Sequence, residues 1–415
     1  MPLDDTSPQL DALLLGAALQ MELSPRDNRV ASKRYSLIPE HLQRPSSPVR
    51  NIMGAALVYP QGSRAIGATI VHGADDDRFD LDAILEFRTP LGWTPRRVLD
   101  ELEVAFQGFP DVQKVERCTR CVQLQFAFMH LDITPMDPDY APRDERVGEI
   151  YHSPDIGEDK RFRVNPYGFA DDFKKKVTMP SLVFQDHLKD LRTRMQVKDR
   201  FVSNVAMSDA DIHDLPEPIN PIRDAPQVIA LKLMKRYLNL RYAHRDIKRP
   251  VSVYLSKIAA EVSLSPFGIC AQLEDLTANL SRRITIALEA GTRPEERNPA
   301  LWEENFNDRW PKYTSEMKTF LADLKHLAAE LDRSRNSSLT DTRKIFDDLF
   351  GERVSEKAVQ SYVDGLTSSA ATSHYEHNRG FVSSPALVAA TPTKASKVSK
   401  APPHHFHPGI RGYNG

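Results

Sequence analysis

Gln61-Gly62-Ser63-Arg64-Ala65-Ile66-Gly67-Ala68-Thr69-Ile70, followed after a polar segment by Phe79-Asp80-Leu81-Asp82-Ala83-Ile84-Leu85-Glu86-Phe87, decides how the rest of the chain is read. Asp80 and Asp82 stand two apart in an apolar, strand-like run. A strand sends alternate side chains to one face, so both carboxylates point the same way while Leu81 and Ala83 take the other. Two carboxylates side by side repel unless a cation sits between them, and oxygen-ligated Mg²⁺ is the natural occupant. Upstream, Gly62-Ser63 offers a bare backbone turn and a hydroxyl, which together can grip a phosphate. Downstream, Met129-His130-Leu131-Asp132-Ile133-Thr134-Pro135 carries a third acid in another alternating run.

Taken singly, each piece is ordinary: an Asp-x-Asp is usually a solvated strand face, and a Gly-Ser says almost nothing. The order changes that. Gly-Ser before a hairpin, Asp-x-Asp on the return strand and a third Asp on a later strand compose a two-metal nucleotidyl-transfer site.

Composition bounds the alternatives. A chain of 415 residues is long enough for two domains or one bilobal one. Lys plus Arg (55) nearly balances Asp plus Glu (57), so no global positive field points to strong nucleic-acid binding. No run of about 18 apolar residues and no signal-peptide pattern is present, which predicts a cytoplasmic protein with no membrane association. Three cysteines fit a reducing compartment. Cys118 and Cys121 form a Cys-x-x-Cys, but a structural zinc needs four ligands and no second pair exists, so they read as buried thiols at a strand start.

Read in order, residues 1–205 form a catalytic lobe. It begins with a helix carrying Leu10, Leu13, Leu14, Ala17 and Leu19, capped by Ser7 and laid against the outside of that lobe. Residues 44–52 connect to a strand at 55–58. Thr94-Pro95 starts a helix that ends near Gly108, and alternating runs at 122–126 and 129–135 complete a mixed sheet. His130 is read onto the face opposite Asp132 as a structural residue, and 136–180 as polar and irregular. Segment 205–226, acidic and proline-rich, is a rim loop or a crossing between lobes. Residues 206–365 are a helical lobe, with Val228, Leu231, Met234 and Leu238 on one face and further helices over 315–332 and 341–363. On residue type alone Lys235 is a solvated charge and Ser252 a helix cap. From 366 to 415 a Ser/Ala/Thr/Pro-rich composition predicts a disordered tail.

Several motifs in combination carry a family resemblance. They are Gly62-Ser63-x-x-x-Gly67, Asp80-Leu81-Asp82, Arg120-Cys121-Val122, Met129 to Pro135, Asn165-Pro166-Tyr167-Gly168-Phe169, Leu233-Met234-Lys235-Arg236, Arg249-Pro250-Val251-Ser252 and Asn298 to Trp310. This set resembles the bacterial cGAS/DncV-like nucleotidyltransferases (CD-NTases) of the polymerase-β-like superfamily, over roughly residues 10–350. These are second-messenger synthases of cyclic-oligonucleotide antiphage (CBASS) systems. One departure shows: the family often has Gly-Thr at the end of the first motif, whereas Gly67 here is followed by Ala68.

The resemblance implies an α+β fold, with a polymerase-β-like lobe built on a mixed central sheet, packed on a C-terminal helical lobe, and the active site in the cleft. It implies that Asp80, Asp82 and Asp132 bind two Mg²⁺ ions, with Mn²⁺ as an alternative. Gln61, Gly62 and Ser63 would hold the donor nucleotide's phosphates, with Lys235 and Ser252 clamping the triphosphate from the helical side. It further implies an effector reached through the nucleotide product, and an E1/E2-like ligase that conjugates the C-terminal Gly415. Three functions follow. The favoured one is a cyclic di- or trinucleotide synthase using ATP, with GTP a second candidate. The others are a template-independent terminal transferase acting on RNA or protein, and a catalytically quiet module whose tail is the output; the intact acids argue against the last.

Overall fold

The structure is a computed structural model. It describes residues 7–71, 78–139, 145–182 and 222–371, with the short stretches 184–186, 188–189, 191–193, 374–376 and 380–382. At its centre is β2 (Phe79–Glu86), whose odd-numbered residues Phe79, Leu81, Ala83 and Leu85 are buried beneath the sheet while Asp80 and Asp82 are only half-buried. β1 (Leu57–Gln61) runs antiparallel on one side of β2, and β5 (Met129–Pro138) runs parallel on the other. β3 (Lys114–Arg117) and β4 (Val122–Gln125) extend the order to β1-β2-β5-β4-β3, and β6 (Gly148–His152) and β7 (Lys160–Val164) add to the far end of β5.

A parallel β2–β5 pair needs a crossover. In the chain between them lies the helix Pro95–Phe106, started by Pro95 in its first turn and by the Thr94 hydroxyl, which accepts from Arg97 N at 3.2 Å. Its face of Val98, Leu99, Leu102, Ala105 and Phe106 packs under the sheet, beside Ala31, Ile38 and Leu42 of the helix Pro25–Leu42.

A second core is helical. It joins α1 (Pro8–Gln20) and a helix over Pro166–Lys176 to a set of helices from the second half of the chain: Pro226–Tyr242, Ser252–Glu261, Ile269–Glu289, Thr314–Arg335 and Leu339–Phe350. Ile66, Ala68 and Ile70, just past the Gly62-Ser63 turn, also belong to it, so the segment that follows the turn packs on the helical core.

Four expectations are corrected here. First, α1 does not lie outside the catalytic lobe: Leu10, Leu13, Leu14, Leu15, Ala17, Ala18 and Leu19 are all buried in the helical core. A helix apolar on all sides, as this one is, belongs inside rather than on a surface. Ser7 precedes it but makes no side-chain cap. Second, 136–180 is structured rather than irregular. β6, β7 and the Pro166–Lys176 helix fill most of its described part, because short five-residue strands with charges on one face look like loop by composition. Third, the helix expected over 341–363 is two, Leu339–Phe350 and Glu352–Ala371, divided at Gly351, whose φ of +89° no helix accepts. Fourth, order continues past Gly365, through Ala371 and into a two-stranded pair of His374–Glu376 with Gly380–Val382. Most of the 205–226 segment lies outside the described residues.

Candidate active site

Strand register, not closeness in sequence, assembles the acids. β1 sets Gln61 opposite Asp82, and β5 sets Asp132 beside Asp82 and His130 beside Asp80. Neighbouring strands lie about 4.8 Å apart, so Gln61, Asp82 and Asp132 form a row across three strands on the face turned away from the sheet core. Burial, then the charges of Asp132 and Asp80, push the Asp82 carboxyl up to about 7. Burial also raises Asp132, opposed by a hydrogen bond from Gln123. That bond, Gln123 Nε2 to Asp132 Oδ1 at 2.8 Å, is backed by Gln125 Nε2 donating to Gln123 Oε1 at 2.9 Å. Tyr35 Oη donates to the Asp82 carbonyl at 2.5 Å, pinning the strand at its central acid.

His130 is a correction. Residues two apart share a strand face, so His130 sits on the same face as Asp132, and its Nδ1 lies 3.3 Å from Asp80 Oδ1.

The Gly62 turn is shaped to its neighbour. Gly62 has φ +56°, and a Cβ there would lie 2.3 Å from Asp82 Oδ2, so only glycine lets the short helix Gly62–Ala65 approach the acid. Ser63 Oγ lies 3.4 Å from Thr69 Oγ1, and Gln61 Nε2 donates to Thr134 Oγ1 at 3.1 Å. From the helical side Lys235 reaches in, its Nζ donating to the Ala68 carbonyl at 2.8 Å. Burial and the charge of Arg249 push its ammonium down to about 8, while Asp82 and Asp80 pull it back up. Ser252 is the first residue of its helix rather than the cap; that place is held by Val251, which has no capping side chain.

The donor set fits a hard divalent cation. It consists of carboxylate oxygens on adjacent strands, raised by burial and mutual repulsion, and relief from Lys235 is the weakest of the four influences on Asp82. Among the described residues no three acid, histidine or thiol groups already converge on one point. Instead Asp80 faces His130 and Asp132 faces Gln123.

No protein-family model matches the chain. The cyclic dinucleotide synthase CdnG of Bradyrhizobium diazoefficiens is 31% identical over 418 residues, spanning 96% of this chain and 95% of the relative. This chain belongs to the CD-NTase family. The structure of the Bradyrhizobium diazoefficiens CD-NTase CdnG in complex with GTP matches at a TM-score of 0.72 and 31% identity, covering 85% of this chain and 99% of that one. That of E. coli MS115-1 CdnC with ATP matches at 0.52 and 14% identity, covering 82% and 97%, and shares the fold. This CD-NTase is therefore a nucleotidyltransferase with the expected α+β, polymerase-β-like architecture.

Of the residues expected at the CD-NTase site, Gln61, Gly62, Asp80, Asp82 and Asp132 come together through the sheet, and Lys235 reaches the same place electrostatically. Gly415 lies outside the described residues. Cys118 and Cys121 are free and only partly buried; they flank the β3–β4 turn, which Cys118 N closes on the Cys121 carbonyl at 2.8 Å. Sequence reading missed Gln123 and Tyr35. Gln123 left a signal, since Gln123-x-Gln125 alternates against the buried Val122 and Leu124. Tyr35, 47 residues from Asp82, left none. Among the described residues no helix is long and apolar enough to cross a membrane.

Proposed function

We propose that the chain joins nucleoside triphosphates, ATP first and GTP second, into a cyclic di- or trinucleotide. The observation that carries this reading is the row Gln61–Asp82–Asp132 with Gly62 pressed against Asp82. A relative so named, similar over nearly the whole length of both chains, supports it. On this reading Asp80, Asp82 and Asp132 hold two Mg²⁺ ions. Such ions, when bound, lower the pKa of an attacking ribose hydroxyl and neutralise charge on the α-phosphate and leaving pyrophosphate.

The chain's own groups do the positioning. Gln123 holds one oxygen of Asp132, Tyr35 holds the backbone of Asp82, and His130 orients Asp80. Gly62 and Ser63 bind donor phosphate oxygens through backbone N–H and hydroxyl, and Lys235 and Ser252 close on them from the helical side. In-line transfer makes little covalent demand on the protein, so geometry and charge supply most of the catalysis. The product serves as a second messenger in bacterial antiphage defence, with Gly415 as a conjugation point for an E1/E2-like partner.

The test incubates purified protein with all four NTPs and Mg²⁺, removes leftover triphosphate with phosphatase, and weighs what survives. A phosphatase-resistant mass of two or three joined nucleoside monophosphates is expected. A linear product or nucleotidylated protein replaces the reading with a terminal transferase.

A further inference from the structure

One register row crosses the sheet from edge to edge. Gln61 on β1 lies opposite Asp82 on β2, and Asp82 lies beside Asp132 on β5. Asp132 in turn lies opposite Gln123 on β4, and Gln123 opposite Glu116 on β3. Residues paired across neighbouring strands share a face. The catalytic face therefore does not stop at the acids; it continues to β3, the last strand in the order, where the Glu116 side chain is 42% exposed.

Hydrogen bonds run along the outer half of that row without a break. Lys114 Nζ donates to Glu116 Oε2 at 2.6 Å, and Gln125 Nε2 donates to the same oxygen at 2.8 Å. Gln125 Nε2 also donates to Gln123 Oε1 at 2.9 Å, and Gln123 Nε2 donates to Asp132 Oδ1 at 2.8 Å. A carboxylate can only accept, whereas a primary amide has an accepting end and a donating end. Because Glu116 accepts, Gln125 turns its NH₂ toward β3, and the second hydrogen of that group meets Gln123 Oε1. Gln123 is left with its own NH₂ toward Asp132. Were Gln125 turned over, two amide oxygens would face each other, and Gln123 could relieve them only by turning its oxygen onto the Asp132 carboxylate. The charge at the sheet edge thus fixes the sense of two amides and, through them, which atom meets Asp132.

Sheet stability does not account for this chain. Cross-strand polar pairs and exposed ion pairs each contribute little, and Lys114 is 59% exposed. What the chain specifies is orientation, since each amide is held at both the end it gives and the end it receives.

We propose that Glu116 is a positioning residue for Asp132, acting through Gln125 and Gln123 from the edge of the sheet. This rests on the nucleotidyl-transfer reading above, and adds to it a residue two strands away from the acid it serves.

The experiment follows cyclic product formation by full-length wild type, Glu116→Gln, Glu116→Lys and Gln125→Met, each also built into a Gln123→Met background. Glu116→Gln keeps an accepting oxygen and should keep most of the rate. Glu116→Lys and Gln125→Met should each lower kcat about 2- to 10-fold, the range of one net hydrogen bond, with Tm unmoved. Once Gln123 is Met, the same changes should leave the rate where Gln123→Met alone puts it, because the link they act through is gone. Equal losses in both backgrounds, wild-type rates in Glu116→Lys and Gln125→Met, or a Tm lowered in step with the rate overturns the inference. A second readout does not need turnover. In protein carrying ¹⁵N in its glutamine side chains, the Gln123 NH₂ signals, assigned by their loss in Gln123→Met, should shift in Glu116→Lys and Gln125→Met and hold in Glu116→Gln. Wild type that makes no cyclic product refutes the functional reading, and the relay is then decided by these signals alone; signals unmoved in Glu116→Lys and Gln125→Met overturn it.

Discussion

The molecule buries carboxylates in two places and treats them in opposite ways. On the sheet, Asp82 sits among other acids, and burial with the charges of Asp132 and Asp80 lifts it to about 7. At the end of α1, Glu22 is also buried, which alone would lift it, but Lys232, Arg192 and Arg223 outweigh that and hold it at about 2. Lys232 Nζ lies 2.6 Å from Glu22 Oε1, and Arg192 bridges Glu22 at 2.9 Å and Asp224 at 2.7 Å. One cluster is complete in itself and ties the chain together. The other is held by the fold at a cost, and a group in that condition marks a working site rather than a structural one.

Removing the acids from the unbalanced cluster should therefore cost function and not stability. Asp80→Asn combined with Asp82→Asn should lower synthesis by more than about 10⁴-fold, or over 5 kcal/mol of transition-state stabilisation. In chelator the double variant should melt no lower than wild type, because neutral amides end the repulsion. Product mass spectrometry and calorimetry read the two halves. Residual synthesis would break the site assignment, and a melt several degrees lower would mean that these acids are structural after all.

Gly62→Ala sharpens the same point with one methyl group. Its Cβ would fall 2.3 Å from Asp82 Oδ2 at a backbone φ of +56°, so the carboxylate must swing aside. Synthesis should drop about 10²- to 10³-fold, equivalent to roughly 3–4 kcal/mol, at a stability cost of about 1 kcal/mol for the left-handed alanine. Wild-type turnover by the variant would show that the turn need not touch the acid.

These two clusters also differ in how far sequence discloses them. The Asp80–Asp82 pair is legible because strand alternation has a period of two, which puts both carboxylates on one face of a single strand. The same rule, misapplied, sent His130 to the wrong side. The pairing of Asp82 with Asp132 needed the parallel β2–β5 register, which follows from a crossover and leaves no local mark. Glu22, Lys232 and Arg192 were illegible: 210 and 170 residues separate the partners, and each alone resembles a solvated surface charge. The burial of α1 was visible in retrospect in Leu15 and Ala18, which fill the side of the helix that an amphipathic reading leaves to solvent. Local periodicity thus discloses a face, while tertiary packing decides what that face meets.

The balanced cluster yields the smallest of the three effects and the one with a distinct pH signature. Glu22→Gln leaves Lys232, 1% exposed, without its anion, and should destabilise the fold by about 3 kcal/mol at pH 7. A carboxyl depressed on folding contributes its stability above its ordinary value near 4.5 and loses it as pH falls toward about 2. The gap between wild type and variant, taken from denaturant unfolding at a series of pH values, should be constant from pH 7 to about 5. It should then narrow steadily below that, as wild-type Glu22 takes up its proton. The acid row predicts no such loss on acidification, since its carboxyls are already raised in the folded state. A gap that persisted undiminished to pH 3 would mean that Glu22 acts through packing rather than charge, and the contrast between the two clusters would lose its electrostatic basis.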